Sequence, residues 1–191
     1  MKHRILYAEI TWRKQRLMPF VLLAAGAGMG VFTLVSRHGH VDSSVVIWLV
    51  YVPAALVILA GLHANRIRSY ARATEAGVEV HRLFKSTLID YDSIRSVKVQ
   101  PLSQAYQNGR RRMVNQLTKP LLTQPALFIR LRGDEAQVAQ ISRALGSRFA
   151  FDGTAALPIP DAASMAGEIG PHLPVGAGAN LGGGRRRKRR H

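Results

Sequence analysis

The side chains of this 191-residue chain that could do chemistry are few, and most of them resolve into other roles on inspection of their spacing. His38, His40 and Asp42 combine imidazole with carboxylate, the ligand types of a zinc-like site. Side chains at i and i+2 in a short turn do not converge on one ion without ligands from elsewhere, so a hydrated loop is expected and no metal is assigned. His63 lies in a long apolar run, where a polar ring is costly, but Arg66 follows closely and places it at the edge of that run. Gly26-Ala27-Gly28-Met29-Gly30 has the glycine density of a phosphate-cradling loop. No strand precedes it and no Lys-Ser/Thr step follows, so no nucleotide site is assigned. Gly26 and Gly30 instead form a small-residue stripe that lets helices approach closely, with Ala60 and Ala64 as the matching small pair or a second protomer as the neighbour. Paired carboxylates in a cleft, a nucleophile with a matching base and a row of acids through an apolar run are all missing. The reading is therefore of a non-enzyme without a cofactor.

Positive charge is the strongest chemical signal. The formal charge is +16, of which six positives fall in Arg185-Arg186-Arg187-Lys188-Arg189-Arg190, and a second cluster is Arg110-Arg111-Arg112. Both clusters suit an anionic surface. Each Lys or Arg near an anionic headgroup contributes about 1 kcal/mol, and nucleic acid is the competing polyanion. The terminal run carries no interleaved aromatic residue on which a base could stack, which favours lipid headgroups over nucleic acid.

The elements that must position these charges begin with two uncharged runs, Leu17 to Ser36 and Ser43 to Asn65, separated by Arg37-His38-Gly39-His40-Val41-Asp42. A helix crosses a bilayer core in about 20 apolar residues, so each run is long enough, and the short connection makes them an antiparallel hairpin. Pro53 is expected to kink the second helix, which membrane helices tolerate. Lys2, Arg4, Arg13, Lys14 and Arg16 precede the hairpin and Arg66, Arg68 and Arg72 follow it, against Arg37 alone in the turn. By the positive-inside rule both termini lie in the cytoplasm. Trp12 and Tyr70 then fall at the inner interface, and Trp48 and Tyr51 in the outer half of the second span. A cleaved signal peptide is the competing reading. The first run is too long for it, no small-x-small site follows, and a second span comes at once. The lack of cysteine is in keeping with a reducing compartment.

After the second span the pattern changes to short alternating stretches, enough for one small domain. Val78 to Phe84, Thr87 to Ile89, Ile94 to Val99 and Leu127 to Leu131 read as strands, with Ile94 and Ser96 on one face and Arg95, Val97 and Val99 on the other. Asp134 is expected to cap a helix from Glu135 to Leu145 that Gly146 stops, and Asp161 a short helix through Ile169. Pro101 to Gln124 holds one strand at most. From Pro174 a glycine-rich stretch reads as a flexible tail.

The stretch Ala76-Gly77-Val78-Glu79-Val80 followed by Leu88-Ile89-Asp90-Tyr91-Asp92-Ser93-Ile94-Arg95-Ser96-Val97 resembles the bacterial pleckstrin-homology-like (PH-like) domains that follow short membrane hairpins. The resemblance covers roughly residues 66 to 147 and implies a small, partly open antiparallel β-barrel closed by a helix, with Glu135 to Leu145 as the candidate. It implies a scaffold role and brings no catalytic residue. On physical grounds Tyr91 and Ile94 are expected to be buried, while Asp90 or Asp92 turns the chain by bonding nearby backbone N–H groups.

These readings combine into a membrane α-helical hairpin plus an α+β domain. Its segments are a basic cytoplasmic start (1–16), the hairpin (17–65), a cytoplasmic PH-like domain with an extension (66–173) and a tail with a polybasic end (174–191). The expected location is a bacterial inner membrane. The expected partners are anionic headgroups and a protein, or a second copy of the chain. The alternatives are a membrane-tethered nucleic-acid binder, or an accessory subunit of a transporter or membrane enzyme.

Overall fold

The computed structural model describes residues 1–36, 43–106, 118–174 and 178–180. The chain forms two compact units: Ala8–Arg68, and a second assembled from Met1–Tyr7 together with the chain from Ser69 onward.

The first unit is helical, with α1 (Leu6–Gln15) leading into α2 (Leu17–Ser36) and α3 (Ser43–Arg68). α2 and α3 are long and apolar enough to cross a membrane. Their apolar side chains are largely exposed, as at Val21, Phe32, Val35 and Val57, so neither helix is buried as a core element within this chain. α3 runs unbroken through Pro53. α1, which precedes Arg16, is tied to the end of α3 by Glu9, whose carboxylate accepts from Arg66 Nε at 2.7 Å and Arg13 Nε at 3.2 Å. Trp12 meets the His63 ring edge-on at 5.6 Å, giving that polar ring an aromatic neighbour.

Gly26 and Gly30 are both buried. A Cβ on Gly26 would stand 2.9 Å from Tyr51 Cβ and 3.0 Å from the Trp48 carbonyl oxygen, so Gly26 meets Trp48, Tyr51 and Val52. The expected match with Ala60 and Ala64 differs from this, for Ala60 is exposed and Ala64 half-buried. The reason is register. Gly26, at the middle of α2, meets the first half of α3, whereas Ala60 and Ala64 lie toward the far end of α3. Gly26→Leu should force α2 and α3 apart at a cost of about 1 to 3 kcal/mol or more. In detergent its thermal midpoint should fall clearly below that of Gly28→Leu, whose added Cβ meets nothing within 4 Å. Equal midpoints would show that the close approach at Gly26 does not matter.

The second unit contains two sheets. The first has the order β1 (His3–Arg4), β2 (Tyr70–Ala73), β3 (Gly77–Arg82), β4 (Lys85–Asp90), antiparallel throughout. The second has the order β7 (Ala150–Phe151), β8 (Thr154–Pro158), β6 (Pro125–Leu131), β5 (Ile94–Pro101), β9 (Gly178–Asn180), antiparallel except for the parallel pair β5–β9. Among the described residues the strands form two separate sheets and no closed barrel. A single 3₁₀ turn, Tyr91–Ser93, separates β4 from β5, and the two strands enter different sheets.

The helices also divide the work differently from expectation. α4 (Glu135–Leu145) keeps its expected bounds and packs on β4, β7 and β8, but Leu145 is its one fully buried side chain. α5 (Ala162–Ile169) is the covering helix. Ala162, Met165, Ala166 and Ile169 recur at helical spacing, are all buried, and face β2, β5 and β6 of both sheets. Asp134 and Asp161 occupy the N-cap positions without side-chain capping bonds, and Gly146 ends α4 at φ +78°. Arg82 donates to the Ala144 carbonyl at 2.6 Å, occupying an acceptor that the helix end leaves open.

Three sequence features acquire physical reasons here. Gly77 has φ +156°, and a Cβ there would be 2.3 Å from the Ile89 carbonyl oxygen, so the glycine that opens β3 is needed for close pairing with β4. Tyr91 and Ile94 are buried, and the Tyr91 hydroxyl donates to the Thr74 carbonyl at 2.7 Å, while Asp90 makes no side-chain capping bond. A register shift between Ile94 and Ser96 turns both Ile94 and Val97 into the core, where a regular strand would put them on opposite faces.

The residues before the hairpin carry a further difference. His3–Arg4 pair with Ala71–Tyr70, the Ile5 amide donates to the Ser69 carbonyl at 3.3 Å, and Ile5 and Tyr7 are buried. The start of the basic segment 1–16 thus contributes a strand to the second unit, a pairing that the sequence pattern did not signal. Gly178–Asn180, within the expected flexible tail, is also a strand.

Candidate functional site

Alternation along β5, β6 and β8 sends Val97, Leu127, Ile129, Ala155 and Leu157 into the core beside α5. The intervening residues face the other way, where the register sets Lys98 beside Phe128 and aligns Ser96, Arg130 and Thr154 in one row. Over this face runs the 3₁₀ turn Leu102–Tyr106, anchored by its buried Leu102 and Tyr106 and by Leu102 and Ser103 amides donating to the Gln124 and Leu122 carbonyls at 3.0 and 2.9 Å. Together they enclose an open cleft of about 310 Å³, lined by Ser96, Lys98, Gln100, Gln104, Ala105, Phe128, Arg130, Phe151, Asp152 and Thr154.

Lys98 and Arg130 are diagonal neighbours on paired strands, an arrangement that brings side chains within about 7 to 8 Å. Among the described residues neither forms an ion pair. Ser96, Gln100, Gln104 and Thr154 add neutral donors. Asp152 belongs to the two-residue turn Asp152-Gly153 of the β7–β8 hairpin, where both residues have positive φ as such a turn requires. An aromatic row supports one wall: Phe151 lies edge-on to Tyr106 at 5.4 Å, Tyr106 shares a hydroxyl hydrogen bond of 3.0 Å with Tyr7, and Tyr7 lies edge-on to Phe149 at 5.2 Å. With two cations against the single carboxylate of Asp152 the lining keeps a net positive charge, so the cleft can hold an anionic group at Lys98 and Arg130 and an apolar body against Phe128.

A second polar cluster crosses the first sheet. Glu79 accepts from Arg72 Nε at 2.6 Å and bonds His81 Nε2, while the His81 ring stacks on Tyr70 at 4.5 Å and Lys2 Nζ lies over Tyr70 at 4.9 Å. Partial burial alone would raise the Glu79 carboxyl, but the bonds and charges of Arg72 and His81 outweigh it and hold the group below its usual range. At α5, Glu168 bonds His3 Nε2 at 3.2 Å and the Met1 amine at 3.3 Å. Burial, with the Glu168 charge behind it, raises the Tyr91 hydroxyl. These contacts are internal links between strands and helix, and their partners are satisfied within the unit.

Arg110, Arg111, Arg112 and Arg185–Arg190, the expected anionic-surface contacts, are outside the described residues, as are His38, His40 and Asp42. Among the described residues no three His, Asp or Glu side chains are grouped to hold a metal. The cleft cations Lys98 and Arg130 were not singled out by sequence. Their signal was the alternation Ser96-x-Lys98-x-Gln100 against Phe128-x-Arg130, legible only once the bulge at Ile94 is known. No protein-family model, curated protein or solved structure matches the chain.

Proposed function

We propose that this chain is an integral protein of a bacterial inner membrane whose helical hairpin anchors a cytoplasmic α+β module, PH-like in role, that binds a protein partner or anionic headgroups and is not an enzyme. The observation that carries this reading is the pairing of β1 with β2. These strands flank the two helices in sequence, so their union supports a chain that enters and leaves a bilayer on the same side. The excess of Lys and Arg in both flanks over the turn favours the cytoplasm as that side. The exposed apolar surface of α2 and α3 supports lipid as their surroundings. The cationic cleft, with donors but no catalytic constellation, supports binding as the module's task.

Topology tests it. In intact cells an impermeant thiol reagent should label Gly39→Cys in the connection and spare Ala136→Cys on the exposed start of α4 until the membrane is opened. Outside labelling of Ala136→Cys would reverse the orientation, and release of the protein by alkaline carbonate would remove the anchor.

A further inference from the structure

We infer that the outer edge of β5, together with the cleft beside it, is a docking site for an extended acidic segment of a partner protein, and that β9 is a replaceable occupant of that edge. The inference rests on the protein-partner reading above and names the partner's chemistry.

β5 is bonded to β6 along one side; its other side is taken by Gly178–Asn180, which run parallel to it with Gly178 opposite Ser96 and Asn180 opposite Lys98. The seated strand shows that this edge accepts an extended chain and fixes its direction. The occupant is a weak one. It is three residues long, parallel pairing is the less stable kind, and Gly, Ala and Asn have low strand propensity and little apolar surface. A longer segment rich in β-branched residues would form more ladder bonds along β5, which extends to Pro101.

Charge selects the kind of segment. Residues opposite each other on neighbouring strands share a face, so an incoming side chain opposite Ser96 or Lys98 is on the cleft face, in reach of Lys98 and Arg130. Those two cations have no ion-pair partner among the described residues. A carboxylate at either position supplies one. The chain's own sequence after Asn180 offers none: residues 181–191 hold no Asp or Glu and six cations, at positions 185–190.

The test uses the full-length protein in nanodiscs, isotope-labelled, with two synthetic probes: a hexapeptide alternating valine and glutamate, and its valine–lysine counterpart. The glutamate peptide should shift and protect the backbone amides of Val97 and Val99, and the lysine peptide should not. Removing residues 175–191 should tighten glutamate-peptide binding by about tenfold, because the competing occupant is gone. In the intact chain Lys98→Glu with Arg130→Glu should weaken glutamate-peptide binding by about tenfold and admit the lysine peptide. Absence of binding to the truncated chain, or binding indifferent to the charge reversal, would overturn the inference. So would protection of these amides by phosphatidylglycerol in the disc with no response to peptide, which would make the cleft a headgroup site. None of these outcomes touches the anchoring and orientation, which the cysteine labelling tests by itself.

Discussion

Deleting Met1–Tyr7 is expected to unfold the α+β unit, even though these residues precede the hairpin and are separated by it from everything they pack against. The loss removes β1 from its pairing with β2 and takes out the buried side chains of Ile5 and Tyr7, which are 2% and 7% exposed. Truncating a large buried apolar side chain costs about 2 to 5 kcal/mol. The Tyr106 hydroxyl, bonded to Tyr7 at 3.0 Å, would be left buried without that partner at a further cost of about 1 to 3 kcal/mol. Glu168 would lose both His3 and the Met1 amine. The total approaches the whole net stability of a domain, about 5 to 15 kcal/mol. A soluble chain of residues 69–180 should therefore lack a cooperative thermal transition. Joining Tyr7 to Ser69 through a short Gly-Ser loop in place of the helices should restore one, since the Ile5 amide already bonds the Ser69 carbonyl. A cooperative transition for 69–180 alone, within a few degrees of the joined chain, would show that the first strand is incidental.

The contrast between legible and hidden elements follows from how much chain each needs to reveal its period. α2 and α3 were plain because twenty apolar residues with a short turn between them admit few other uses. β3, β4, β6 and α4 fell close to their expected bounds because each spans at least three repeats of its own period. β1 has two residues and β9 three, too few for any alternation; both exist because a neighbouring strand offers an edge. Which helix covers the sheets was also not a local question. α4 has bulkier apolar residues at helical spacing, but the smaller side chains of α5, Ala162 and Ala166 among them, let it lie closely on both sheets. The cleft escaped for a related reason. Its cations come from two strands far apart in sequence, and the bulge between Ile94 and Ser96 shifts the face of everything after it.

That bulge is tested by the second large effect, Ile94→Asp in the joined soluble chain. Ile94 is fully buried, pairs with Leu131 at the start of β5, and is followed by the register shift that sends Arg95 outward and Val97 inward. Replacing it removes a core side chain, worth about 2 to 5 kcal/mol, and forces a carboxyl group into the space, where an unpaired ion costs several kcal/mol more or must be protonated. Among the described residues the nearby Arg95 and Arg132 are both exposed and face solvent, not the core space that Ile94 fills. The variant should be unfolded or molten at room temperature, with near-ultraviolet dichroism lost. Arg95→Asp is the informative control. In a strand without the bulge, residue 95 would share the inward face of Val97 and the change would be as damaging as Ile94→Asp. With the bulge it faces solvent, and its thermal midpoint should stay within a few degrees of the parent. Comparable losses from the two variants would refute the register shift, and with it the common outward face on which Ser96, Lys98 and Gln100 line the cleft.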